Sequence, residues 1–160
     1  MSIGKFLGGV AALIWDEETK KYLFLRRASQ RDFKAGAWEC VTGRVDQGES
    51  FEDALHREVF EEIQSSVWID FLIATSHFYR GAKTPENELL SIIYGCTIKD
   101  AAQVIISDEH SEMRWVTVEE ALSFLPEGDW LREVIQRAEA LRENLPEVLQ
   151  SRFRQQGFDI

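Results

Sequence analysis

The chain has 160 residues, of which 44% are hydrophobic, and a formal net charge of -10 at pH 7. That length and apolar content suffice for one globular domain with a sizeable core, and they exclude a disordered chain. The negative charge argues against a general binder of nucleic-acid polymers or of anionic membranes. It would also repel a polyphosphate, unless bound cations reverse the field at the site.

The two cysteines, Cys40 and Cys96, lie far apart in the sequence and in no metal-binding spacing. We expect both to be buried, reduced side chains. The first residues lack a basic segment followed by a long apolar one, and no apolar run approaches the length of a membrane span. A cytoplasmic protein without a membrane segment is therefore expected.

The residues before Gly43 predict three strands separated by polar segments. Apolar and aromatic residues dominate each strand, over residues 6–15, 22–25 and 38–41. The second strand ends in Arg26 and Arg27. Because consecutive strand residues face opposite sides, only one of these arginines can point at a given site. A loop is predicted over residues 29–36, and the side chain of Trp38 is predicted to lie in the core.

The second half of the chain predicts three more strands and then three helices. The strands are expected over residues 67–79, 89–98 and 113–116, with loops over 81–87 and 101–111. Thr117 and Glu120 have the spacing of a capping box, which predicts a helix that ends near Pro126. Asp129 caps a further helix, which Pro146 interrupts before a last short helix over residues 147–155.

Between these halves, residues 43–65 begin as a glycine-bearing loop and continue as a helix dense in carboxylates. Ser50 followed by Asp53 has the spacing of a capping box, so the helix is predicted to begin just after Ser50. At about 100° per residue, an apolar stripe follows one side of this helix. The stripe consists of Phe51, Leu55, Val59 and Ile63.

Glu58, Glu61 and Glu62 stand at i, i+3 and i+4 of the helix, and their shared face overlaps the edge of the apolar stripe. Three carboxylates crowded beside a buried surface repel one another and resist desolvation. Stability gives no reason for this arrangement, whereas a hard divalent cation with oxygen ligands does. A solvated acidic face, which is what most charge runs form, is the alternative.

This stretch resembles the Nudix box. The family pattern is a glycine, five residues, a glutamate, seven residues and then Arg-Glu-apolar-x-Glu-Glu-x-Gly-apolar. Seven positions match it at the right spacing: Gly43, Glu49, Arg57, Glu58, Val59, Glu61 and Glu62. Gln64 stands where the family has glycine and Ser65 where it has an apolar residue, and neither change removes a candidate ligand.

The resemblance implies an α/β fold, an α/β/α sandwich with a mixed β-sheet, over about residues 5–125. A helical extension over about residues 127–157 would follow, within a single Nudix domain of residues 1–160. We expect the extension to pack on its own domain. A homodimer contact through its helices is the alternative.

The resemblance also implies a site for Mg²⁺, or for Mn²⁺, built from oxygen ligands. These ligands would be the carboxylates of Glu58, Glu61 and Glu62 and the carbonyl of Gly43. Arg57 is not a ligand. It would neutralise and orient the carboxylates, with Glu49 as its partner.

The attacking water needs a base, which in this family is a box glutamate or a glutamate from a loop before the last strand. Glu109 is the loop candidate and Glu112 the second choice. An exposed loop glutamate without such a role is the alternative.

The family often carries a basic residue near the substrate phosphates at the end of the second strand, so Arg26 and Arg27 are candidates for substrate binding. Tyr79 lies roughly where members that act on dinucleoside polyphosphates carry a tyrosine, although its aromatic strand favours a core position.

The expected function is Mg²⁺-dependent hydrolysis of a diphosphate linkage in a small nucleoside diphosphate derivative. A nucleoside triphosphate, or a related pterin triphosphate, that releases pyrophosphate is favoured over a nucleotide sugar or a dinucleoside polyphosphate. Two alternatives belong to other classes. A non-catalytic nucleotide-binding module would show loss of the box glutamates, and a diphosphate isomerase would need a cysteine and a glutamate in its site.

Overall fold

The computed structural model describes residues 4–30 and 34–160, so residues 31–33 of the expected 29–36 loop lie outside the described part. The strands are β1 (Leu7–Asp16), β2 (Lys21–Arg27), β3 (Trp38–Glu39), β4 (Val41–Arg44), β5 (Val67–Tyr79), β6 (Glu88–Ile98) and β7 (His110–Val116). The helices are α1 (Phe51–Ile63), α2 (Val118–Phe124), α3 (Trp130–Asn144) and α4 (Glu147–Gln156), with a short 3₁₀ turn at Ala101–Gln103.

β1 lies at the centre of a seven-stranded sheet. It pairs in parallel with β6, from Leu7 opposite Leu89 to Trp15 opposite Thr97. Its other side pairs antiparallel with β4 near its start and with β2 near its end. β5 pairs with β6 at one edge, and β2 pairs further with β3 and β7. The sheet is therefore mixed, as expected.

Two apolar clusters cover the two faces of the sheet. The first packs α1 through Leu55, Val59 and Ile63 against β1, β5 and β6. The second packs α2 and α3 on the opposite face, with Leu131 and Ile135 of α3 fully buried. Helices on both sides of one sheet make the α/β/α sandwich that the sequence predicts.

The ends of α1 follow from local chemistry. Ser50 caps the helix, and its hydroxyl accepts a hydrogen bond from the Asp53 N–H at 3.1 Å. Gln64 ends the helix in the left-handed conformation, with φ at 51°. A residue with a Cβ adopts this conformation at a cost, which is why glycine is the usual residue at this place. The helix thus ends where the box pattern predicts, without the glycine.

Two expected strands differ from those observed. The strand expected over residues 38–41 is interrupted at Cys40, because β3 pairs with β2 whereas β4 crosses to pair with β1. The last strand begins at His110 rather than at Met113, because its pairing with β2 continues past an irregularity to place His110 opposite Arg27. Both differences arise because these strands pair with strands distant in sequence. The local pattern of residues does not reveal such pairing.

The helical extension packs on its own sheet. Asp70 of β5 is fully buried and accepts hydrogen bonds from Arg154 Nε of α4 and from Thr97 Oγ1 of β6, both at 2.6 Å. Arg142 of α3 approaches the same carboxylate at 3.6 Å, and its guanidinium lies over the ring of Trp15. The extension is therefore anchored by a buried carboxylate as well as by apolar contacts.

The last residues return to the start of α1. The Glu52 N–H donates to Asp159 Oδ2 at 2.9 Å, and the Phe158 N–H donates to Glu52 Oε1 at 2.6 Å. Phe158 packs against Tyr94 and Phe153. The chain terminus thus fixes the first turn of the helix that bears the box carboxylates.

Cys40 and Cys96 are both buried and unpaired with each other, as expected. Among the helices of the described residues, none combines the length and the apolar character needed to cross a membrane.

Candidate active site

α1 lies so close to β4 that a side chain at position 43 would collide with the carboxylate of Glu58 as it stands. A Cβ on Gly43 would stand 1.8 Å from Cδ of Glu58 and 2.2 Å from its Oε1. These distances are far below van der Waals contact, so a larger residue at position 43 would displace the Glu58 carboxylate from the strand. The first residue of the box therefore allows the Glu58 carboxylate to lie against the backbone of the strand.

Arg57 contacts more of the box than any single carboxylate does. Its Nε and Nη2 donate to the two oxygens of Glu49 at 2.7 and 2.9 Å. Its Nη1 donates to Glu58 Oε1 at 2.7 Å, and Nη2 also donates to the carbonyl of Arg44 at 2.8 Å. These hydrogen bonds lower the pKa of Glu49 to about 2. They also raise the pKa of Arg57, through Glu49 first and then Glu58.

Glu62 is the most deeply buried box carboxylate, with a residue exposure of 4%. Burial raises its pKa well above the usual range, and the negative charges of Glu39, Glu58 and Glu109 add to this effect. The backbone of Thr42 in β4 opposes this rise in the pKa. Glu62 Oε2, however, has no hydrogen-bond partner within residues 4–30 and 34–160. Burial likewise raises the pKa of Glu58, although Arg57 opposes the shift.

Glu61 differs from its two neighbours because its side chain is 57% exposed and reaches Arg57 Nη1 only at 3.4 Å. As the carboxylates stand, no three Asp, Glu, His or Cys side chains of the described residues converge as a metal site would require. Arg57 occupies part of the donor set, since its Nη1 donates to one oxygen of Glu58 and, at longer distance, to Glu61.

The donor set nevertheless fits a divalent cation. Buried carboxylate oxygens need a positive or hydrogen-bonding partner, and Glu62 Oε2 accepts no hydrogen bond from the described residues, with His110 Nε2 3.8 Å away. Oxygen ligands of this kind are those that Mg²⁺ and Mn²⁺ prefer. Glu58, Glu62 and the backbone of Gly43 lie together, and Glu61 is next to them on the exposed side of the helix.

Glu109 lies in the turn before β7 and is half-buried. Its charge is close enough to raise the pKa of Glu62, and its carbonyl accepts a hydrogen bond from the Ala28 N–H at 2.9 Å. The structure therefore brings this loop residue to the box. Glu112 lies elsewhere, where its carboxylate accepts from Arg114 Nε at 2.7 Å and meets Arg26 at 3.5 Å.

The two arginines at the end of β2 point to opposite faces, as the strand geometry predicts. Arg27 donates to Glu39 Oε1 at 3.0 Å on the face that bears α1. Arg26 lies on the α2 side, where its guanidinium is 5.9 Å from the ring of Trp38. Trp38 is half-buried and packs against the second apolar cluster, and the guanidinium of Arg114 stacks on its ring at 4.7 Å.

Tyr79, at the end of β5, is half-buried and packs edge-on against His77, with 5.6 Å between ring centroids. It belongs to neither apolar cluster, so the core position favoured by its aromatic strand is wrong.

Sequence reasoning missed three polar residues near the box. Glu39 and His110 are buried beside Glu62, and Arg80 follows β5. Burial lowers the pKa of Arg80, and the charges of Arg44 and Arg27 lower it further, so these arginines lie near one another. The one available signal was Glu39, a charged residue between Trp38 and Cys40 in a strand that is otherwise apolar.

Comparison with known proteins gives the same family as the box. Residues 5–138 match the family model of the NUDIX domain. The crystal structure of a MutT protein from Methanosarcina mazei Go1 superposes with a TM-score of 0.71 at 26% identity, and the match covers 91% of this chain and 100% of that one.

Two relatives known by sequence add detail. Nucleoside triphosphatase NudI of Salmonella typhimurium is 29% identical over 109 residues, which are 62% of this chain and 74% of that protein. A Myxococcus xanthus protein named octanoyltransferase is 33% identical over 120 residues, which are 75% of this chain. The match spans only 32% of that longer relative.

The family match extends over more than half of the chain, and the chain therefore belongs to the Nudix family of hydrolases. The expected family and fold are both confirmed. Members of this family generally use divalent metal ions.

Proposed function

We propose that this Nudix pyrophosphohydrolase cleaves a diphosphate linkage in a small nucleoside diphosphate derivative and depends on Mg²⁺, for which Mn²⁺ can substitute. One observation carries the proposal. Half-buried Glu58 lies against Gly43 and close to buried Glu62, and Glu62 Oε2 accepts no hydrogen bond from the described residues. Such a pair opposes folding unless a cation binds it.

Glu58, Glu61, Glu62 and the carbonyl of Gly43 would hold the cation. Bound there, a divalent metal supplies charge neutralisation for the diphosphate and lowers the pKa of a coordinated water. Arg57 orients Glu58 and shields it from the like charge of Glu61. Glu49 holds Arg57 in place through two hydrogen bonds.

Glu109 is the proposed base for the attacking water. It stands on a loop that reaches the box from outside α1, and its charge acts on Glu62. Glu112 is a weaker candidate because its carboxylate accepts a hydrogen bond from Arg114 Nε. The hydrogen bonding with Arg114 lowers the pKa of Glu112, which makes it a poorer proton acceptor.

The proposed substrate is a nucleoside triphosphate, or a related pterin triphosphate, which would release pyrophosphate. The similarity to a protein named nucleoside triphosphatase supports this substrate class. Arg27, Arg44 and Arg80 supply positive charge beside the box, which suits the phosphates. Arg26 and Tyr79, the other substrate candidates, lie at the ends of β2 and β5.

The alternatives from other classes are disfavoured. A non-catalytic module would have lost glutamates that are all present here. An isomerase would need a reactive cysteine, whereas burial raises the pKa of both Cys40 and Cys96 well above the usual range for a thiol.

We further propose a single domain that acts in the cytoplasm. A homodimer through the C-terminal helices stays a prediction. On α4 it would use the exposed side chains of Val148 and Leu149. Sedimentation of wild type and of a Val148→Glu variant tests it, because only a dimer would dissociate in the variant.

The deciding experiment is a screen of nucleotides with the purified chain, scored by the phosphate product that appears. Hydrolysis should require Mg²⁺ or Mn²⁺, stop in excess chelator and return when metal is added. Glu58→Gln should lower kcat by roughly 10²-fold or more, the scale seen when one group that stabilises the transition state is removed. Full activity in excess chelator would overturn the proposal.

A further inference from the structure

Behind the box lies a buried polar network, of which the proposed function uses Arg27 and Glu62 but neither Glu39 nor His110. It joins Arg27 at the end of β2, Glu39 of β3, His110 at the start of β7 and Glu62 of α1. The side chain of His110 is 1% exposed and that of Glu39 11%. Four elements distant in sequence therefore meet at polar groups inside the protein.

Glu39 is the acceptor at the centre of this network. Arg27 Nη1 donates to its two oxygens at 3.0 and 3.2 Å. His110 Nε2 lies 2.9 Å from Glu39 Oε1. Because a carboxylate paired with an arginine can only accept, Nε2 must carry the proton and donate it to Glu39. The contact with Glu39 thus fixes both the orientation of the imidazole and its tautomer.

The fixed imidazole forms one wall of the Glu62 site. Its Nε2 stands 3.8 Å from Glu62 Oε2, too far for a hydrogen bond but close enough to prevent the carboxylate from turning that way. The backbone of Thr42 in β4 also lies beside the carboxylate. Glu62 is therefore confined between β4 and β7, with Oε2 left for a further partner.

Packing does not explain the network. Two carboxylates, Glu39 and Glu62, are buried beside the same imidazole nitrogen of His110, and the desolvation of charged groups inside the protein costs free energy. Apolar residues of similar size would stabilise this part of the core better. If these side chains hold the ligands of a functional site in place, that role accounts for their presence although they lower the stability of the fold.

We propose that His110 and Glu39 are positioning residues for the metal site, which hold Glu62 so that its Oε2 faces the cation. This role rests on the proposed function, since it requires that Glu62 bind a metal. Arg27 belongs to the same arrangement, because it holds Glu39. Neither Glu39 nor His110 touches the substrate in this role. They act through Glu62.

Mn²⁺ binding to the full chain, without nucleotide, tests this role. Free Mn²⁺ is measured by electron paramagnetic resonance during titration of metal-free protein. His110→Leu removes the donor to Glu39 and should weaken Mn²⁺ binding about 10- to 100-fold, the range typical for residues that support a metal ligand. His110→Gln retains a side-chain N–H and should bind within a few-fold of wild type.

Two further variants keep the test decisive if His110→Leu does not fold. Glu39→Gln has the same shape but loses the charge that holds both Arg27 and His110, and should also weaken Mn²⁺ binding at least several-fold. Thr97→Val is the matched control, since it disrupts the buried network at Asp70 on the other face of the sheet. It should lower the melting temperature in chelator and leave Mn²⁺ affinity unchanged.

The outcomes separate the two proposals. Wild-type Mn²⁺ affinity in both His110→Leu and Glu39→Gln would overturn the positioning role and leave the proposed function standing. Equal losses in Thr97→Val and Glu39→Gln would likewise overturn it, since general destabilisation would then be the cause. If wild type binds no Mn²⁺, the proposed function fails and the positioning role with it. Weakened Mn²⁺ binding without any nucleotide hydrolysis supports the positioning role and overturns the proposed activity alone.

Discussion

Arg57 determines how the charges of the box are arranged. It bonds both oxygens of Glu49 and one oxygen of Glu58, and it reaches Glu61 at a longer distance. Glu62, one turn further along α1 and deeper in the protein, accepts none of these hydrogen bonds, and burial raises its pKa well above the usual range. The positive charge of Arg57 thus neutralises the outer carboxylates of the box and leaves the carboxylate of Glu62 for a metal.

The pair between Glu49 and Arg57 predicts a pH-dependent contribution to stability. The pKa of Glu49 falls from 4.5 to about 2 in the folded state, so the pair stabilises the protein above pH 4.5 and loses this effect as the pH falls through about 2. In metal-free buffer, Glu49→Gln should therefore be less stable than wild type near neutral pH. The difference should shrink steadily in more acidic solution.

Urea unfolding at several pH values measures this difference. Glu127→Gln, at an exposed position between α2 and α3, is the control and should match wild type throughout. A Glu49→Gln deficit that stays constant with pH would show that lost packing, rather than lost charge, is the cause.

The proposed base gives the second prediction at this scale. If Glu109 takes the proton from the attacking water, Glu109→Gln should lower kcat by roughly 10²- to 10⁴-fold. KM should change little, because the loss falls on the transition state. Glu112→Gln is the matched control from the same segment, and it should stay within a few-fold of wild type because Arg114 and Arg26 hold that carboxylate.

Steady-state kinetics at saturating metal distinguishes the two variants. A Glu109→Gln enzyme within a few-fold of wild type would place the base in the box, at Glu61 or Glu58.

At the scale of elements, α3 and α4 depend on one buried acid. Asp70 on β5 binds Arg154 directly and lies 3.6 Å from Arg142, so it joins both helices to the sheet. Asp70→Asn would leave these arginines without their buried counter-charge. It should lower the free energy of unfolding by about 3 kcal/mol or more, the scale for a broken buried ion pair.

A surface pair within α3 provides the comparison. Glu133 and Arg137 lie 2.7 Å apart, but both side chains are more than half exposed. Glu133→Gln should therefore change the free energy of unfolding by no more than about 0.5 kcal/mol. Equal losses for the two variants in urea unfolding would contradict the role given to Asp70.

Elements whose signals are local were predicted well from the sequence. α1 begins after Ser50 because a serine hydroxyl caps it, and β5 has the predicted bounds because its apolar and aromatic residues form one long extended run. The capping box of α2 is formed by Thr117 and Glu120, as its spacing predicts. Helix and strand ends of this kind depend on residues a few positions apart.

What the sequence could not show are contacts between distant segments. The break at Cys40 depends on β3 and β4 choosing different partners. The inward turn of Arg27 depends on Glu39, and the burial of His110 depends on Glu62 and Glu39 being beside it. In the site, the box pattern predicts which residues lie close together, whereas the hydrogen bonds between them depend on the tertiary fold.

For the whole molecule, the net charge of -10 opposes the approach of a phosphate-bearing substrate. Salt shortens the range of this repulsion, from about 30 Å at 0.01 M to about 8 Å at 0.15 M. At constant saturating free Mg²⁺, kcat/KM should therefore rise about two-fold or more across this range. The value of kcat should stay the same, because it reports the bound complex.

Initial rates at low substrate concentration, measured along a KCl series, test this expectation. A fall in kcat/KM with salt would show that the arginines beside the box, rather than the overall charge, determine how substrate approaches.

The parallel pairing of β1 with β6 has a consequence for how the protein folds. Leu7 of β1 pairs with Leu89 of β6, so the centre of the sheet joins segments roughly eighty residues apart. The loop between them must close before that pairing can form, and closing a long loop costs entropy in advance. During synthesis, β1 and α1 are translated before β6. The chain therefore has the residues of the box helix before the centre of its sheet can pair.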